Sequence, residues 1–262
     1  MTTAALHVAR TGLDAQNSRM QVIANNLANV NTVGFKRDRA SFETLAYQLV
    51  TSPGALSSGD NRYATGLNLG TGVKMTGTAR IDSQGALSNT NNSLDLAIEG
   101  DGYFQVLLSD GRTAYTRAGA FSLSPEGTIV TAEGNVVQPQ IEVPDGATGI
   151  TIGQDGTVSA TLAGKTDSTQ LGQIELARFV NPAGLQAMGN NLLVESAASG
   201  TPQVGTAMSD GRGTIRAGML ESSNVNVVEE LVDMIETQRA YEVNSKMIQA
   251  TDEMLRNATQ QM

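Results

Sequence analysis

Residues 5–30 read ALHVARTGLDAQNSRMQVIANNLANV. Leu6, Leu13, Met20 and Leu27 stand seven apart, and Ala9, Gln16, Ile23 and Val30 follow each of them by three. Seven of these eight positions are apolar, the heptad pattern of a helix whose seam faces a few partner helices. Arg10, Asp14, Asn17, Arg19 and Asn25 fall outside the seam, so the stripe is narrow. Asn29, Asn31, Thr32 and Gly34 follow. Residues of these types end helices, because Asn and Gly accept the left-handed backbone of a helix C-terminus.

The opposite end mirrors this pattern. From Asn226 to Gln261 there is no Gly and no Pro, and Val227, Leu231, Met234, Tyr241, Ile248 and Leu255 follow a three-four spacing. A second long helix is predicted. Asn226, with Glu229 three residues on, forms a variant capping box, and Glu229, Glu230 and Asp233 place negative charge at the positive end of the helix dipole. Gln238, Ser245 and Asp252 interrupt the seam; such breaks weaken a simple dimer and can fix register in a larger assembly.

Between the helices the pattern is β. Short strands are predicted over Tyr103–Leu108, Thr113–Arg117, Ala120–Leu123, Thr128–Ala132, Val136–Val143, Ile150–Ile152, Thr157–Leu162 and Gln173–Val180. Asp110-Gly111, Glu126-Gly127, Glu133-Gly134, Asp145-Gly146 and Asp155-Gly156 mark tight turns. With no helices to make parallel crossovers, the strands should form antiparallel hairpins rolled into a small barrel or sandwich. The Gly-, Ser- and Thr-rich stretch Tyr47 to Thr78 is either a linker or an extended excursion. The alternation in Leu67-Asn68-Leu69 and Val73-Lys74-Met75 favours a long, poorly packed hairpin. The fold expected is therefore α+β: paired N- and C-terminal coiled-coil helices, an extended β-hairpin and a central antiparallel β domain. The boundaries expected are 1–35 plus 224–262 for the helices, 36–79 for the hairpin and 80–223 for the β domain.

Composition narrows the function. Aromatic residues are 4% of the chain, Trp is absent and Gly numbers 28, which suits thin β modules better than a large core. A net charge of -9 opposes nucleic acid as a ligand, since phosphate binding needs clustered Lys and Arg. No Cys is present, so disulfides, thiolate metal sites and cysteine nucleophiles are excluded. The start lacks a basic region followed by an apolar run, as a cleaved secretory signal requires. No stretch reaches the roughly 20 apolar residues of a spanning helix, so no membrane insertion is expected.

No motif carries chemistry. His7 is the single histidine, which removes His clusters and Ser-His-Asp triads. Gly66, Gly70 and Gly72 resemble a phosphate loop, but Met75 stands at the third glycine's place and no helix follows. Asp95, Glu99 and Asp101 could pair as glycosidase carboxylates or bind calcium, yet there is no Trp platform and no calcium-loop spacing, so turn and cap roles are expected. Lys36, Arg37 and Arg39 are broken by Asp38; a solvated or intersubunit ion pair fits better than a nucleic-acid contact. An enzyme is not expected, and neither is a cofactor or a metal. What remains is the pairing of the two ends. Two narrow seams around a site-free β body need other helices to bury them. Head-to-tail contacts between identical chains would supply these and give a helical polymer. An intramolecular coiled-coil stalk on a monomeric β domain is the alternative that periodicity alone leaves open.

The residues also resemble a known family. Asn25-Asn26-Leu27-Ala28-Asn29 followed by Thr32-Val33-Gly34-Phe35-Lys36 is similar to the signature of bacterial flagellar rod and hook proteins. Gln84-Gly85-Ala86-Leu87-Ser88, Leu96–Phe104, Ser223–Val232, Gln238–Glu242 and Gly70-Thr71-Gly72-Val73 agree with the family as well. The length and the single β body resemble its distal-rod members, and Pro53-Gly54-Ala55 and Ser57-Ser58 agree in character with a distal-rod segment associated with straightness and stiffness. The resemblance implies a structural subunit of the flagellar basal body, exported without signal cleavage and polymerising into a straight hollow shaft. Leu6, Leu13, Met20, Ile23, Leu27, Leu231, Met234, Tyr241, Ile248 and Leu255 would form its assembly seam, and Asn25, Asn26, Asn29, Gly34 and Phe35 its family signature. The implied partners are further copies in a helical tube, proximal-rod proteins, the hook protein, peptidoglycan and outer-membrane ring proteins and the flagellar export apparatus. The alternatives are a proximal-rod subunit or a secreted β protein on a coiled-coil stalk.

Overall fold

A computed structural model of the chain describes residues 2–58, 61–144, 146–162 and 168–260. The fold is α+β, and the chain divides into two compact units, each discontinuous in sequence. One holds Met1–Leu27, Asp38–Ala79 and Asn226–Met262; the other holds Ala28–Arg37 and Arg80–Val225.

The first unit contains the two helices, α1 (Thr2–Ala28) and α2 (Val227–Gln260). They run antiparallel: Asn26 meets Glu230, Arg19 meets Asp233 at 3.1 Å, and Gly12 lies against Asn244. A Cβ at residue 12 would sit 3.1 Å from Asn244 Nδ2, so a larger residue there would require the Asn244 side chain to shift. Asn226 caps α2 as expected, its Oδ1 accepting the Val228 N–H at 3.1 Å.

The segment between residues 38 and 80 is a long antiparallel hairpin. Its strands are β1 (Asp38–Thr44), β2 (Tyr47–Thr51), β3 (Leu56–Ser58), β4 (Asn61–Arg62), β5 (Leu67–Gly70) and β6 (Val73–Arg80). They pair outward in the order β1 with β6, β2 with β5 and β3 with β4. The hairpin is anchored to α1 near Gly72. That residue has φ +117°, a Cβ there would collide with Thr11 Oγ1, and His7 Nδ1 lies 3.3 Å from the Thr71 carbonyl oxygen. Further out, β2 and β5 are exposed on both faces, including Tyr47, Leu49, Val50, Leu67 and Leu69. A two-stranded ribbon gains little stability from its own pairing.

The second unit is all β among the described residues apart from one turn of 3-10 helix at Pro182–Gly184. Its strands are β7 (Leu87–Asn89), β8 (Leu96–Glu99), β9 (Tyr103–Leu107), β10 (Thr113–Thr116), β11 (Phe121–Leu123), β12 (Ile129–Thr131), β13 (Val136–Gln138), β14 (Ala147–Ile152), β15 (Thr157–Leu162), β16 (Ser168–Gln173), β17 (Glu175–Arg178), β18 (Gln186–Gly189), β19 (Leu192–Val194), β20 (Gln203–Thr206), β21 (Thr214–Ala217) and β22 (Met219–Glu221). Central β9 pairs antiparallel with β10, β13 and β17. A meander of β14, β15 and β16 and the pairs β8 with β21 and β7 with β22 complete the unit. Alternation along β9 explains why it is buried on both faces. Phe104 and Val106 join the larger core with Leu96, Ile98, Ile174 and Leu176, while Tyr103 joins Tyr115 and Phe179 on the other side. Phe104 meets Phe121 edge to face at 5.2 Å, and Tyr115 meets Phe179 at 4.8 Å.

Some strands differ from expectation. The run expected over Val136–Val143 stops at Gln138, because Pro139 has no N–H to continue a ladder. The run expected over Gln173–Val180 is confined to Glu175–Arg178 and preceded by β16, whose Ser-Thr-Gln composition gave no apolar signal. We predict that Phe104→Ala destabilises the β unit by about 3–5 kcal/mol. Leu49→Ser or Leu67→Ser, on the exposed ribbon, should change the stability of the monomer by no more than about 0.5 kcal/mol. Chemical denaturation of the dilute chain measures both.

Candidate assembly site

The seam residues of α1 lie in two environments. Ile23 is buried, with Ala9 and Ala15, whereas Leu6, Leu13, Met20 and Leu27 are only half-buried. In α2, Met234 and Ile248 are half-buried, while Leu231 and Tyr241 are exposed at 43% and 41%. The side chain of Leu255 lies outside the described residues.

The fully buried residues of α2 are polar. They are Glu230, Thr237 and Thr251, and Asp233 and Asn244 face Arg19 and Gly12 of α1. Met234 and Ile248, each four residues beyond one on that face, are half-buried beside them. Thr237 and Thr251 return their hydroxyls to the carbonyls of Asp233 and Met247 at 2.6 and 2.7 Å. On the opposite side, Val228, Leu231, Val232 and Ile235 form a stripe at helical spacing, all exposed. A helix that completes its fold within one chain turns its apolar stripe inward. Here the stripe points out.

The signature residues have distinct roles. Asn26 is 2% exposed and mimics a strand: its Oδ1 accepts the Asp38 N–H and its Nδ2 donates to the Asp38 carbonyl, both at 2.9 Å. The same Nδ2 lies 3.3 Å from both carboxylate oxygens of buried Glu230. One side chain thus ties α1 to the hairpin and to α2. Asn25 is exposed and lines a shallow groove with Ser18, Val22 and Met75. Asn29 accepts from Thr32 through both its carbonyl and its Oδ1, forming the turn after α1. Gly34 has φ +69°, and a Cβ there would lie 2.6 Å from the backbone of Arg117 and Ala118. Half-buried Phe35 continues this turn, its N–H donating to the Thr32 carbonyl at 3.2 Å.

Lys36 requires a correction. Neither solvated nor intersubunit, it is buried in the β unit and pairs with fully buried Glu221 at 2.5 Å, also donating to the Ser83 carbonyl at 2.8 Å. Glu221 accepts as well from Gly85 N–H at 3.0 Å and Arg117 Nη1 at 3.4 Å. Arg117 in turn reaches the carbonyls of Ile98 and Gly100 and lies over the Tyr103 ring. Burial pulls the Lys36 ammonium below the usual lysine range, although the Glu221 carboxylate opposes this. Burial, reinforced by Asp82, pushes the Tyr103 phenol well above its usual range, and burial also raises Tyr115. Asn224 binds the same region, accepting from Arg37 N–H at 2.7 Å and donating to Ile81 and Ser83. The sequence marked Lys36 as charged but gave no sign of Glu221, 185 positions away.

The three acids considered for chemistry are apart in role. Asp95 accepts from Asn92 at 3.0 Å, Glu99 pairs with Arg216 at 2.7 Å, and Asp101 lies 4.0 Å from Arg178. Among the described residues no group of His, Asp and Glu is arranged to hold a metal ion, and no helix is long and apolar enough to cross a membrane.

Three family profiles match the regions that carry these features, and together they define a class of flagellar rod and hook proteins. "Flagella basal body rod protein" matches residues 6–36, "Flagellar hook protein FlgE/F/G D1 domain" residues 97–160, and "Flagellar basal body rod FlgEFG protein C-terminal" residues 216–261. The flagellar basal-body rod protein FlgG of Buchnera aphidicola subsp. Schizaphis graminum is 50% identical over 97% of this chain and 98% of its own length. In Caulobacter vibrioides, FlgG is 47% identical over 98% of both chains, whereas FlgF is 32% identical over 98% of this chain and 97% of its own. The chain belongs to the FlgG family of flagellar basal-body rod proteins, a structural family and not an enzyme family.

Asn26→Leu should destabilise the helical unit by about 2–4 kcal/mol, since it removes both backbone bonds to Asp38 and a donor to buried Glu230. Asn17→Leu, on the exposed face, should cost no more than about 0.5 kcal/mol by thermal melting followed through helix ellipticity. In an alkaline titration, Tyr103 and Tyr115 should be missing from the tyrosine phase near pH ~10 and ionise only at higher pH or on unfolding. A folded pKa above the unfolded one contributes stability that is present below about pH 10 and lost as the pH rises further. Absorbance near ~295 nm, with Tyr103→Phe as control, reads this phase.

Proposed function

We propose that the chain is a distal-rod subunit that polymerises into a straight hollow shaft, with its terminal helices forming the inner wall. The terminal helices α1 and α2 would line the tube. The observation that carries this reading is the outward apolar stripe of α2, Val228, Leu231, Val232 and Ile235, opposite a polar intramolecular face. Helices of other copies supply the cover. The half-buried Leu6, Leu13, Met20 and Leu27 of α1 belong to the same proposed seam.

Exposed apolar residues support polymerisation, among them the α2 stripe and the hairpin residues Tyr47, Leu49, Val50, Leu56 and Tyr63. Covering such half-exposed side chains contributes about 1 kcal/mol each. Association costs about 4–15 kcal/mol, so many contacts per subunit are needed, as a helical lattice provides.

In this reading the shaft transmits torque to the hook and passes exported subunits through its bore. Its partners are proximal-rod proteins, the hook protein, the peptidoglycan and outer-membrane rings and the export apparatus. The 47% against 32% identity to FlgG and FlgF of one organism favours the distal rod over another rod position. A monomeric β protein on its own coiled-coil stalk is disfavoured, because the fully buried residues of α2 are polar and its larger apolar residues are half-buried or exposed, where a self-sufficient stalk would bury them.

Leu13→Asp or Leu231→Asp should abolish polymerisation while the β unit keeps its native near-ultraviolet spectrum; fibres of normal length from either variant would refute the seam. Deleting residues 47–65 should give shafts that assemble but bend, and electron microscopy showing them straight would refute a stiffening role for the hairpin.

A further inference from the structure

The largest buried charge network in the described residues links segments from both ends of the chain. Glu221 has no exposed surface, and its Oε1 receives Lys36 Nζ at 2.5 Å and Gly85 N–H at 3.0 Å. Its backbone carbonyl accepts Gly34 N–H at 2.8 Å. Val33 accepts from Asn191 Nδ2 at 2.7 Å, and Arg37 is held between Asn224 Oδ1 and Ile81 N–H at 2.7 and 2.9 Å. The backbone of residues 33–37 is thus bound to three separate parts of the β unit, near residues 81, 191 and 221–224.

We infer that residues 28–37 are an integral strap of the β unit and not a tail of the first helix, and that this unit closes only when strap and residues 219–225 are both present. The argument is electrostatic. A fully buried carboxylate needs a close cation. Arg117 is committed to the Ile98 and Gly100 carbonyls and reaches Glu221 only at 3.4 Å, so Lys36 is the close counterion. Without the strap, Glu221 loses that partner and the Ser83 carbonyl loses its ammonium donor. Without residues 219–225, Lys36 and Arg117 are left as two buried cations in one site, which like charges oppose. Either loss opens the unit.

Two consequences follow. Loosening of the terminal helices in a free subunit stops at residue 28 on one side and 225 on the other. The β unit also cannot complete its fold until a contact spanning 185 residues is available. It therefore stays open while a chain is presented from its N-terminus, a property that, on the export reading proposed above, keeps the subunit threadable until nearly all of it has passed.

Hydrogen exchange of the full-length monomer tests the inference. The amides of Gly34, Phe35 and Arg37 should exchange together with core amides such as Val106 and Leu176, and about a hundredfold or more slower than those of α1. Lys36→Met should accelerate strap and core together by about tenfold or more, and Lys36→Met combined with Glu221→Gln should restore most of the protection, because the carboxylate that lost its close cation is then neutral while Arg117 keeps the Ile98 and Gly100 carbonyls. The inference is overturned if the strap exchanges with α1 while the core stays protected, or if Lys36→Met leaves the core unchanged. It is equally overturned if the double variant exchanges as fast as the single one. Should Lys36→Met fail to fold at all, the double variant alone decides, since recovery of its core protection is required.

Discussion

The polarity of the face between α1 and α2 governs how this chain is used. Glu230, Asp233, Thr237, Asn244 and Thr251 take most of the side of α2 that a monomeric hairpin would fill with Leu and Ile, leaving Met234 and Ile248 half-buried there. Their bonds to Asn26 and Arg19 fix the antiparallel register, but hydrogen bonds and partly exposed ion pairs give little net stability. The apolar residues remain on the other side for a neighbour to cover. On the reading proposed above, the helices are aligned within one chain and stabilised between chains, a division of labour that suits a polymer.

The β unit follows the opposite strategy. Its cores around Phe104 and Tyr103 are closed within the chain, and its one expensive feature, the buried Lys36–Glu221–Arg117 cluster, joins the segments through which the chain enters and leaves. Gly34, Asn224 and Ile81 reinforce the same place with backbone bonds. An ordered body is thereby compatible with ends that settle only on assembly.

Much of this was legible in the sequence, for reasons that differ by element. Heptad spacing gave both helices, and Gly-containing turn pairs gave the central hairpins of the β unit. Alternation in Leu67–Leu69 and Val73–Met75 gave the ribbon. The heptad did not reveal which side of α2 would meet α1: Leu231 and Tyr241 belong to the spacing yet are exposed, because the contact is made by small and polar residues that no hydrophobic period registers. Strands such as Gln203–Thr206 and Ser168–Gln173 were hidden by the same polarity. The partner of Lys36 lay beyond local reading altogether, since burial of a carboxylate depends on segments that meet only in the folded chain.

The most direct test is the structure of the polymer by electron cryo-microscopy, using the full chain concentrated until it assembles. The account predicts a straight tube in which Val228, Leu231, Val232 and Ile235 of each copy are buried against helices of other copies. A tube held together by the β units, with that stripe left facing water, would contradict it.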